Sequence, residues 1–182
     1  MRVLATVGLP GSGKGEAATV ASELDVPVVT MGDVIRAECR DRGLDPATDH
    51  GTVATTLREE NGEDAIAQRS LPIIEEQLED HDTVLVDGIR SDVEVERFRA
   101  AFEEFLLVEV HAPFEMRAER LDLRGRDASA EDGGESLQER DRRELDFGMG
   151  EAMNQADVVV ENDGSLAEFH DRIRTLLTDE VL

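Results

Sequence analysis

Lysine is almost absent from this sequence of 182 residues: Lys14 stands alone among 19 Lys and Arg residues, against 43 Asp and Glu residues. The formal net charge is −24. A surface this acidic excludes general nucleic-acid binding, which requires basic patches. Repulsion among acidic groups is tolerated where molar salt shortens the Debye length to about 3 Å, so the composition favours a salt-adapted cytoplasm, such as that of a halophilic archaeon. An ordinary acidic protein from a GC-rich genome is the alternative.

Cysteine and long apolar runs are also scarce. Cys39 is the one cysteine, which excludes an internal disulfide and a cysteine metal cluster. No apolar run approaches the roughly 18 residues of a membrane span, and the N-terminus does not have the pattern of a secretory leader. The sequence therefore predicts a soluble, cytoplasmic protein with a single domain over residues 1–182 and no membrane partner.

The sequence does contain a regular alternation of apolar runs and helical patterns, which predicts a parallel sheet flanked by helices. Strands are predicted at residues 2–7, 27–30, 83–86, 105–111 and 157–160. Helices are predicted at residues 15–24, 32–43, 50–80 in two pieces, 92–103, 113–124, 137–148 and 165–178. The predicted fold is a three-layer α/β domain with a five-stranded parallel sheet.

The stretch VGLPGSGKGEAA, between the first strand and the first helix, has the pattern of a phosphate-binding loop (P-loop). Glycines let backbone N–H groups converge on phosphate oxygens, while the helix N-terminus and the lysine add positive charge. The common motif places a Mg²⁺-binding hydroxyl after the lysine, but a glycine follows here. A tight turn without a ligand is the alternative. The predicted nucleotide-binding residues are Gly8, Leu9, Pro10, Gly11, Ser12, Gly13, Lys14, Gly15 and Glu16.

Two further segments place a carboxylate and an arginine near predicted strand ends. In VVTMGDVIR, Asp33 and Arg36 share a helix face, and the simpler interpretation is a helix-start residue with its ion-pair partner. In TVLVDGIR, Asp87 ends a strand and Arg90 follows it. A carboxylate in this position is typical of metal-associated aspartates in P-loop enzymes, and a helix cap is the alternative.

Together these segments resemble the adenylate-kinase-like nucleoside and nucleotide kinases. GLPGSGKG resembles their G-x-P-G-x-G-K-G loop, in which glycine follows lysine, and TMGDVIR and VDGIR resemble their S-T-G-D-x-x-R and L-D-G-F-P-R segments. ADVVVENDGSLAEF is similar to the tail of dephospho-coenzyme A kinases, and the order of segments is similar to an archaeal family described as adenylate-kinase-like. The resemblance covers nearly the whole chain. It implies a P-loop NTPase domain with a small helical acceptor arm and a lid, and ATP as phosphoryl donor.

The resemblance also implies how Mg²⁺ is held without a hydroxyl after the lysine. In these kinases the metal is bound largely through waters and the nucleotide, with aspartates at the positions of Asp33 and Asp87 organising the waters, which suits an ion that keeps several waters. Lys14 and Asp87 are assigned to catalysis. Glu16 stands where adenylate kinases commonly have threonine, and we expect it to turn outward, because the first turn of a helix favours acids.

The arm and the lid complete the assignment. Residues 31–80 correspond to the acceptor-binding arm, and an arginine-rich helix–loop–helix at about 120–145 corresponds to the lid. Arginines there would spread charge from the transferring phosphoryl group, although surface ion pairs are the alternative. The predicted catalytic lid residues are Arg120, Arg124 and Arg126, faced by Arg140 and Arg143. The predicted acceptor-binding residues are Thr30, Arg36, Arg58 and Arg90.

The function predicted from sequence is ATP-dependent phosphoryl transfer to a small phosphorylated acceptor, such as a nucleoside monophosphate or dephospho-coenzyme A. The alternative is a nucleotide-binding regulatory ATPase or switch without a small-molecule acceptor. Which acceptor, which general base and which oligomeric state apply is left open. The four histidines are scattered without metal-ligand spacing and are assigned no role.

Overall fold

The computed structural model describes residues 1–123 and 136–178. It contains strands β1 Arg2–Val7, β2 Val28–Thr30, β3 Thr83–Asp87, β4 Phe105–His111 and β5 Val158–Glu161. All four pairings are parallel, and the strand order in the sheet is β2-β3-β1-β4-β5. The predicted α/β fold with a five-stranded parallel sheet is confirmed.

β1 lies in the middle of the sheet because its side chains are apolar on both faces. Val3, Ala5 and Val7 pack into one hydrophobic cluster, and Leu4 packs into the other. Successive side chains of a strand point to opposite faces, so helices cover the sheet on both sides. Thr6 is the polar exception in this strand, and it is buried.

Helices fill both outer layers. Their bounds are α1 Lys14–Glu23, α2 Met31–Asp41, α3 Pro46–Asn61, α4 Ala65–Asp80, α5 Asp92–Ala101, α6 Phe114–Leu123, α7 Leu137–Glu144, α8 Gly150–Asn154 and α9 Leu166–Thr178. A π-helical turn, Leu145–Met149, joins α7 to α8 and contains Gly148 at φ 113°. In the part of the chain that the structure describes, none of the helices is long and apolar enough to cross a membrane.

α3 begins before the start predicted at residue 50, because its first turn is well capped. The Asp45 side chain accepts a hydrogen bond from the Ala47 N–H at 2.9 Å, and Pro46 occupies the first turn. Gly62 follows the helix with φ 99° and separates it from α4. α2, α3 and α4 together make up the segment predicted as the acceptor arm.

The carboxyl ends of three strands meet where the P-loop leaves the sheet. The register pairs Thr6 of β1 and Thr30 of β2 with Asp87 of β3. β3 runs through Asp87, one residue beyond its predicted end. Ligands of open parallel sheets bind at this edge, so the fold itself places Asp87 beside the P-loop.

Candidate functional site

Two glycines of the P-loop have backbone conformations that other residues rarely adopt. Gly8 has φ 150° and Gly13 has φ 117°. A Cβ atom on Gly8 would collide with the carbonyl oxygen of Val110, and one on Gly13 would collide with the side-chain amide of Asn162. The loop therefore packs directly on β4 and on the segment after β5, which only glycine permits at these positions.

Lys14 begins α1, and its side chain folds over the loop. Its Nζ donates hydrogen bonds to the carbonyl oxygens of Gly8 and Leu9, the second at 3.3 Å. Burial lowers the pKa of Lys14, and the nearby Asp87 carboxylate opposes that shift. Asp87 Oδ1 accepts a hydrogen bond from the Thr6 hydroxyl at 2.8 Å. A cation and a carboxylate thus lie together at the glycine-rich backbone, which is an arrangement suited to metal-bound phosphate.

A cavity of about 500 Å³ lies between the P-loop, α3 and the α7 segment. Basic residues outnumber acidic ones in its lining, whereas the whole chain has 43 acidic and 19 basic residues. This reversal of the local charge balance favours anionic ligands. The charged lining residues are Lys14, Arg58, Arg90, Arg140, Arg143, Asp87, Glu94 and Glu144.

His50 lines the cavity, and so do two of the arginines predicted to bind the acceptor, Arg58 from α3 and Arg90 from the segment after β3. Burial lowers the pKa of His50, a hydrogen bond to the Gly32 backbone opposes that shift, and the positive charges of Arg36, Arg90 and Arg58 lower the pKa further. His50 Nε2 is buried and has no hydrogen-bond partner among the residues described. Arg58 and Arg90 on the cavity wall, with the charge of Arg36 acting on the same histidine, form a candidate site for a phosphate group.

Sequence reasoning assigned His50 no role. The spacing of His50, Ala54 and Arg58, which are four residues apart in a helix, predicts that they lie on one face of α3. This signal in the sequence could have placed His50 beside the predicted acceptor residue Arg58. All three line the cavity. The predicted acceptor residue Thr30 lines it as well.

Arg58 lies between a buried carboxylate and an aromatic ring. Its Nη2 is 3.5 Å from Glu94 Oε1, and its Cζ is 4.4 Å from the centre of the Phe147 ring. Glu94 Oε2 also accepts a hydrogen bond from the Arg90 N–H at 2.9 Å, and burial raises the pKa of Glu94. These contacts fix the guanidinium, while Arg58 Nε has no partner in the described part of the chain. The side chain thus keeps donor capacity for an anion.

Glu144, buried at the end of α7, connects Arg143 of that helix to Arg90 in the segment after β3. It pairs with Arg90 Nη1 at 3.5 Å and with Arg143 Nη2 at 3.3 Å. Arg140 lies one helical turn earlier and also lines the cavity. Arg90, Arg140 and Arg143 therefore line one cavity. Arg124 and Arg126 lie outside the described residues.

Asp33 is placed differently from Asp87. Its carboxylate pairs with Arg36 at 2.7 Å, its side chain is 68% exposed, and it does not line the cavity. This is the local ion pair that the spacing offered as the simpler interpretation. Among the described residues, no group of three or more His, Cys, Asp or Glu side chains is arranged to hold a metal ion. A hydrated Mg²⁺ held by phosphates and few protein groups fits this site, and Asp87 is the better placed of the two carboxylates.

Arg120 contacts the segment after β5, not the cavity. Its Nη2 donates to the backbone oxygen of Asn162 at 2.9 Å and to the side-chain Oδ1 of the same residue at 3.2 Å. Asn162 Nδ2 in turn donates to the Ser12 carbonyl oxygen at 2.7 Å. Arg120 therefore contacts the P-loop indirectly, through Asn162.

Arg117 is a residue of this region that sequence reasoning did not single out for the site. It is buried, and its Nη1 donates to the carbonyl oxygen of Pro10 in the P-loop at 3.0 Å. Both Nη groups also bond the carboxylate of Asp141 on α7, at 2.8 and 2.7 Å. Arg117 thus joins the P-loop to the helix that carries Arg140 and Arg143.

Glu16, in the first turn of α1, faces α9. Its Oε2 lies 3.3 Å from His170 Nε2. The carboxylate therefore contacts α9, and Glu16 does not line the cavity.

Comparison with known proteins gives the family and the fold. A family model described as AAA domain matches residues 7–138. A UPF0200 protein from Halobacterium salinarum is 58% identical over 178 residues, which cover 97% of this chain and 93% of that protein. A UPF0200 protein from Methanothrix thermoacetophila is 48% identical over 182 residues, which cover 98% of each chain.

Three solved structures share the fold. TT1252 from Thermus thermophilus has a TM-score of 0.68 at 19% identity, covering 100% of this chain and 98% of that one. A gluconokinase from Sinorhizobium meliloti has a TM-score of 0.58 at 18% identity, with 97% and 91% covered. A shikimate kinase from Acinetobacter baumannii in complex with shikimate has a TM-score of 0.57 at 18% identity, with 97% and 92% covered. Identities this low show a P-loop kinase-like fold and leave the acceptor open.

Proposed function

We propose that this chain, which belongs to the UPF0200 family of archaeal proteins, transfers a phosphoryl group from ATP to a small phosphorylated acceptor. The observation that carries the proposal is a cavity lined both by Lys14 and Asp87 and by His50, Arg58 and Arg90. A nucleotide switch needs only the residues at the P-loop, Lys14 and Asp87. A kinase also needs a second anion site near the γ-phosphate, because transfer depends on holding donor and acceptor in line.

On the donor side, the P-loop amides and Lys14 would hold the β- and γ-phosphates of ATP. Asp87 would organise the waters of Mg²⁺, with Asp33 as the second predicted carboxylate. The ion would supply charge neutralisation on the phosphates. Arg117 would keep the loop in place through the Pro10 carbonyl oxygen.

On the acceptor side, Arg36, Arg58 and Arg90 would bind the acceptor's phosphate. A planar guanidinium can donate two parallel hydrogen bonds to two oxygens of one phosphate, whereas a lysine ammonium acts as a point charge. Arg140 and Arg143 would stabilise the charge of the transferring group from the α7 side. Residues 31–80 would act as the acceptor arm and residues 120–145 as the lid.

A coupled assay of ADP release in molar KCl tests the proposal. The acceptors to compare are nucleoside monophosphates and dephospho-coenzyme A, with shikimate and gluconate as unphosphorylated controls taken from the structural neighbours. We expect ADP release to depend on one of the phosphorylated acceptors and to be absent in Lys14→Ala. Slow hydrolysis that no acceptor changes would instead support a regulatory ATPase or switch.

A further inference from the structure

We propose that His50 is a further acceptor-binding residue, which takes up a proton when the acceptor's phosphate dianion binds and then donates a hydrogen bond to it. This inference rests on the proposed function, because it concerns the same acceptor site. It adds a residue that neither the resemblance nor the comparisons assign.

Geometry supports this role first. His50 lines the cavity on the α3 face that also carries Arg58, and its Nε2 has no hydrogen-bond partner among the described residues. A buried ring nitrogen without a partner costs free energy, so such atoms in a folded protein call for a ligand or a water. The His50 ring bonds the Gly32 backbone but has no carboxylate partner within the described ranges, whereas His111 and His170 lie beside the carboxylates of Glu109 and Glu16. His81 contacts the backbone of its own helix.

Charge then determines the protonation state. The cations that act on His50 are Arg36, Arg58 and Arg90, while a hydrogen bond between the ring and the Gly32 backbone opposes their effect. The cavity wall adds the cations Lys14, Arg140 and Arg143 and the carboxylates Asp87, Glu94 and Glu144. Without a ligand, burial and the three cations lower the pKa of His50, so the imidazole is neutral at neutral pH. A bound dianion pairs with the arginines and attracts a proton to the ring. One proton therefore passes from solvent to the imidazole on binding and returns to solvent on release.

The consequence is selectivity for charge. The arginines attract any anion. The imidazole of His50 becomes positively charged only when the negative charge of the ligand is large enough to raise the proton affinity of the ring. A phosphate monoester dianion meets this condition better than a carboxylate does. The site would thus favour phosphorylated acceptors over the hydroxy acids that the names of the structural neighbours mention.

Sulfate is the probe that tests this, because it stays a dianion over the pH range in which histidine titrates. The protein is first saturated with Mg²⁺ and a non-hydrolysable ATP analogue, so that the P-loop is occupied. Sulfate is then titrated by calorimetry at constant ionic strength from about pH 5 to 8. We expect the wild-type sulfate affinity to fall by up to about tenfold per pH unit between the pKa of the free and the sulfate-bound site, since one proton is linked to binding.

His50→Gln should bind sulfate with the weak affinity of the wild type at high pH and show no pH dependence. His81→Gln is the matched control and should behave as wild type, because His81 lies at the exposed end of α4. Calorimetry in two buffers of different ionisation enthalpy should give a proton uptake that His50→Gln abolishes. A pH-independent wild-type affinity, or a pH dependence that survives in His50→Gln, would overturn the role of His50 alone. Absence of any sulfate binding to the nucleotide-saturated wild type would overturn the acceptor site and the proposed function with it.

Discussion

Asp141→Ala should destabilise the folded protein by about 3 kcal/mol, because it leaves the Arg117 guanidinium buried without its charged partner. The two side chains are only 6% and 14% exposed, and two bonds of 2.8 and 2.7 Å join them. A solvent-exposed ion pair would contribute no more than about 1 kcal/mol. In Asp141→Ala, Arg117 would still donate hydrogen bonds to the carbonyl oxygens of Pro10 at 3.0 Å and Ala112 at 3.2 Å. These remaining bonds limit the loss of stability.

Thermal unfolding measures this loss. In a chain of this length about 1 kcal/mol corresponds to roughly 2–4 °C, so Asp141→Ala should lower Tm by about 6–12 °C. Asp171→Ala is the matched control, since Asp171 forms a 2.8 Å ion pair with Arg174 but is 77% exposed. It should change Tm by no more than about 4 °C. The difference between the two variants should persist in molar KCl, because buried pairs are screened less than exposed ones.

The double variant Arg117→Met with Asp141→Leu separates the cost of an unpaired buried charge from the loss of the contact between Arg117 and the P-loop. Replacing both charges by apolar side chains of similar size removes the unpaired charge, so we expect most of the stability to return. ATP affinity should fall below that of Asp141→Ala, because the double variant loses the bond from Arg117 to the Pro10 carbonyl oxygen that Asp141→Ala keeps. The reasoning is refuted if Asp141→Ala lowers Tm no more than Asp171→Ala does.

Four further outcomes follow from the site. Lys14→Ala should abolish ATP binding without unfolding the chain, and a calorimetric affinity within about threefold of wild type would contradict the P-loop role. Asp87→Asn should keep ATP binding and lose Mg²⁺-dependent turnover; unchanged turnover would reduce Asp87 to a partner of Thr6. Arg90→Lys should raise the acceptor KM or lower kcat by about 2 kcal/mol, and a loss of ATP affinity instead would place Arg90 on the donor side. Folding lowers the pKa of His50 from its unfolded value of about 6.5, so the folded state favours the neutral imidazole. The resulting gain in the free energy of unfolding is fully present above pH about 6.5 and is lost as pH falls through the pKa of His50 in the folded protein. Denaturant titrations should therefore show a loss at acid pH that His50→Gln lacks, and equal losses in both proteins would exclude this source.

The fold was predictable because its signals are local. The run RVLATV is largely apolar on both faces, a pattern typical of a central strand in a parallel sheet that helices cover on both sides. The glycine-rich turn that follows leads into a helix, which is the context of a P-loop. The positions of Asp87 and Arg90 followed from the same logic, since carboxyl ends of parallel strands share one edge. Asp33 and Arg36 are three residues apart, and the structure keeps them as the local pair that this spacing allows.

The rest of the site depends on contacts between distant parts of the chain. Arg120 bonds Asn162, and Arg58 packs on Phe147, a residue of the π-helical turn. A helical spacing reveals which residues share a face but not what that face meets, because the partner lies on another element. For the same reason Arg117 could not be told from an exposed arginine of the same helix until its burial was known.

The one lysine of the chain can now be understood beside its 18 arginines. Lys14 folds into a loop whose carbonyl oxygens of Gly8 and Leu9 already surround its Nζ. A compact ammonium group fits that space, whereas a planar guanidinium would need a wider opening and more acceptors. Arg58 and Arg90 lie on a broader cavity wall, where a planar fork can bind two oxygens of one phosphate. Under the proposed function, the one lysine stands where a point charge would reach phosphates through a narrow loop, and arginines stand where an acceptor phosphate would bind.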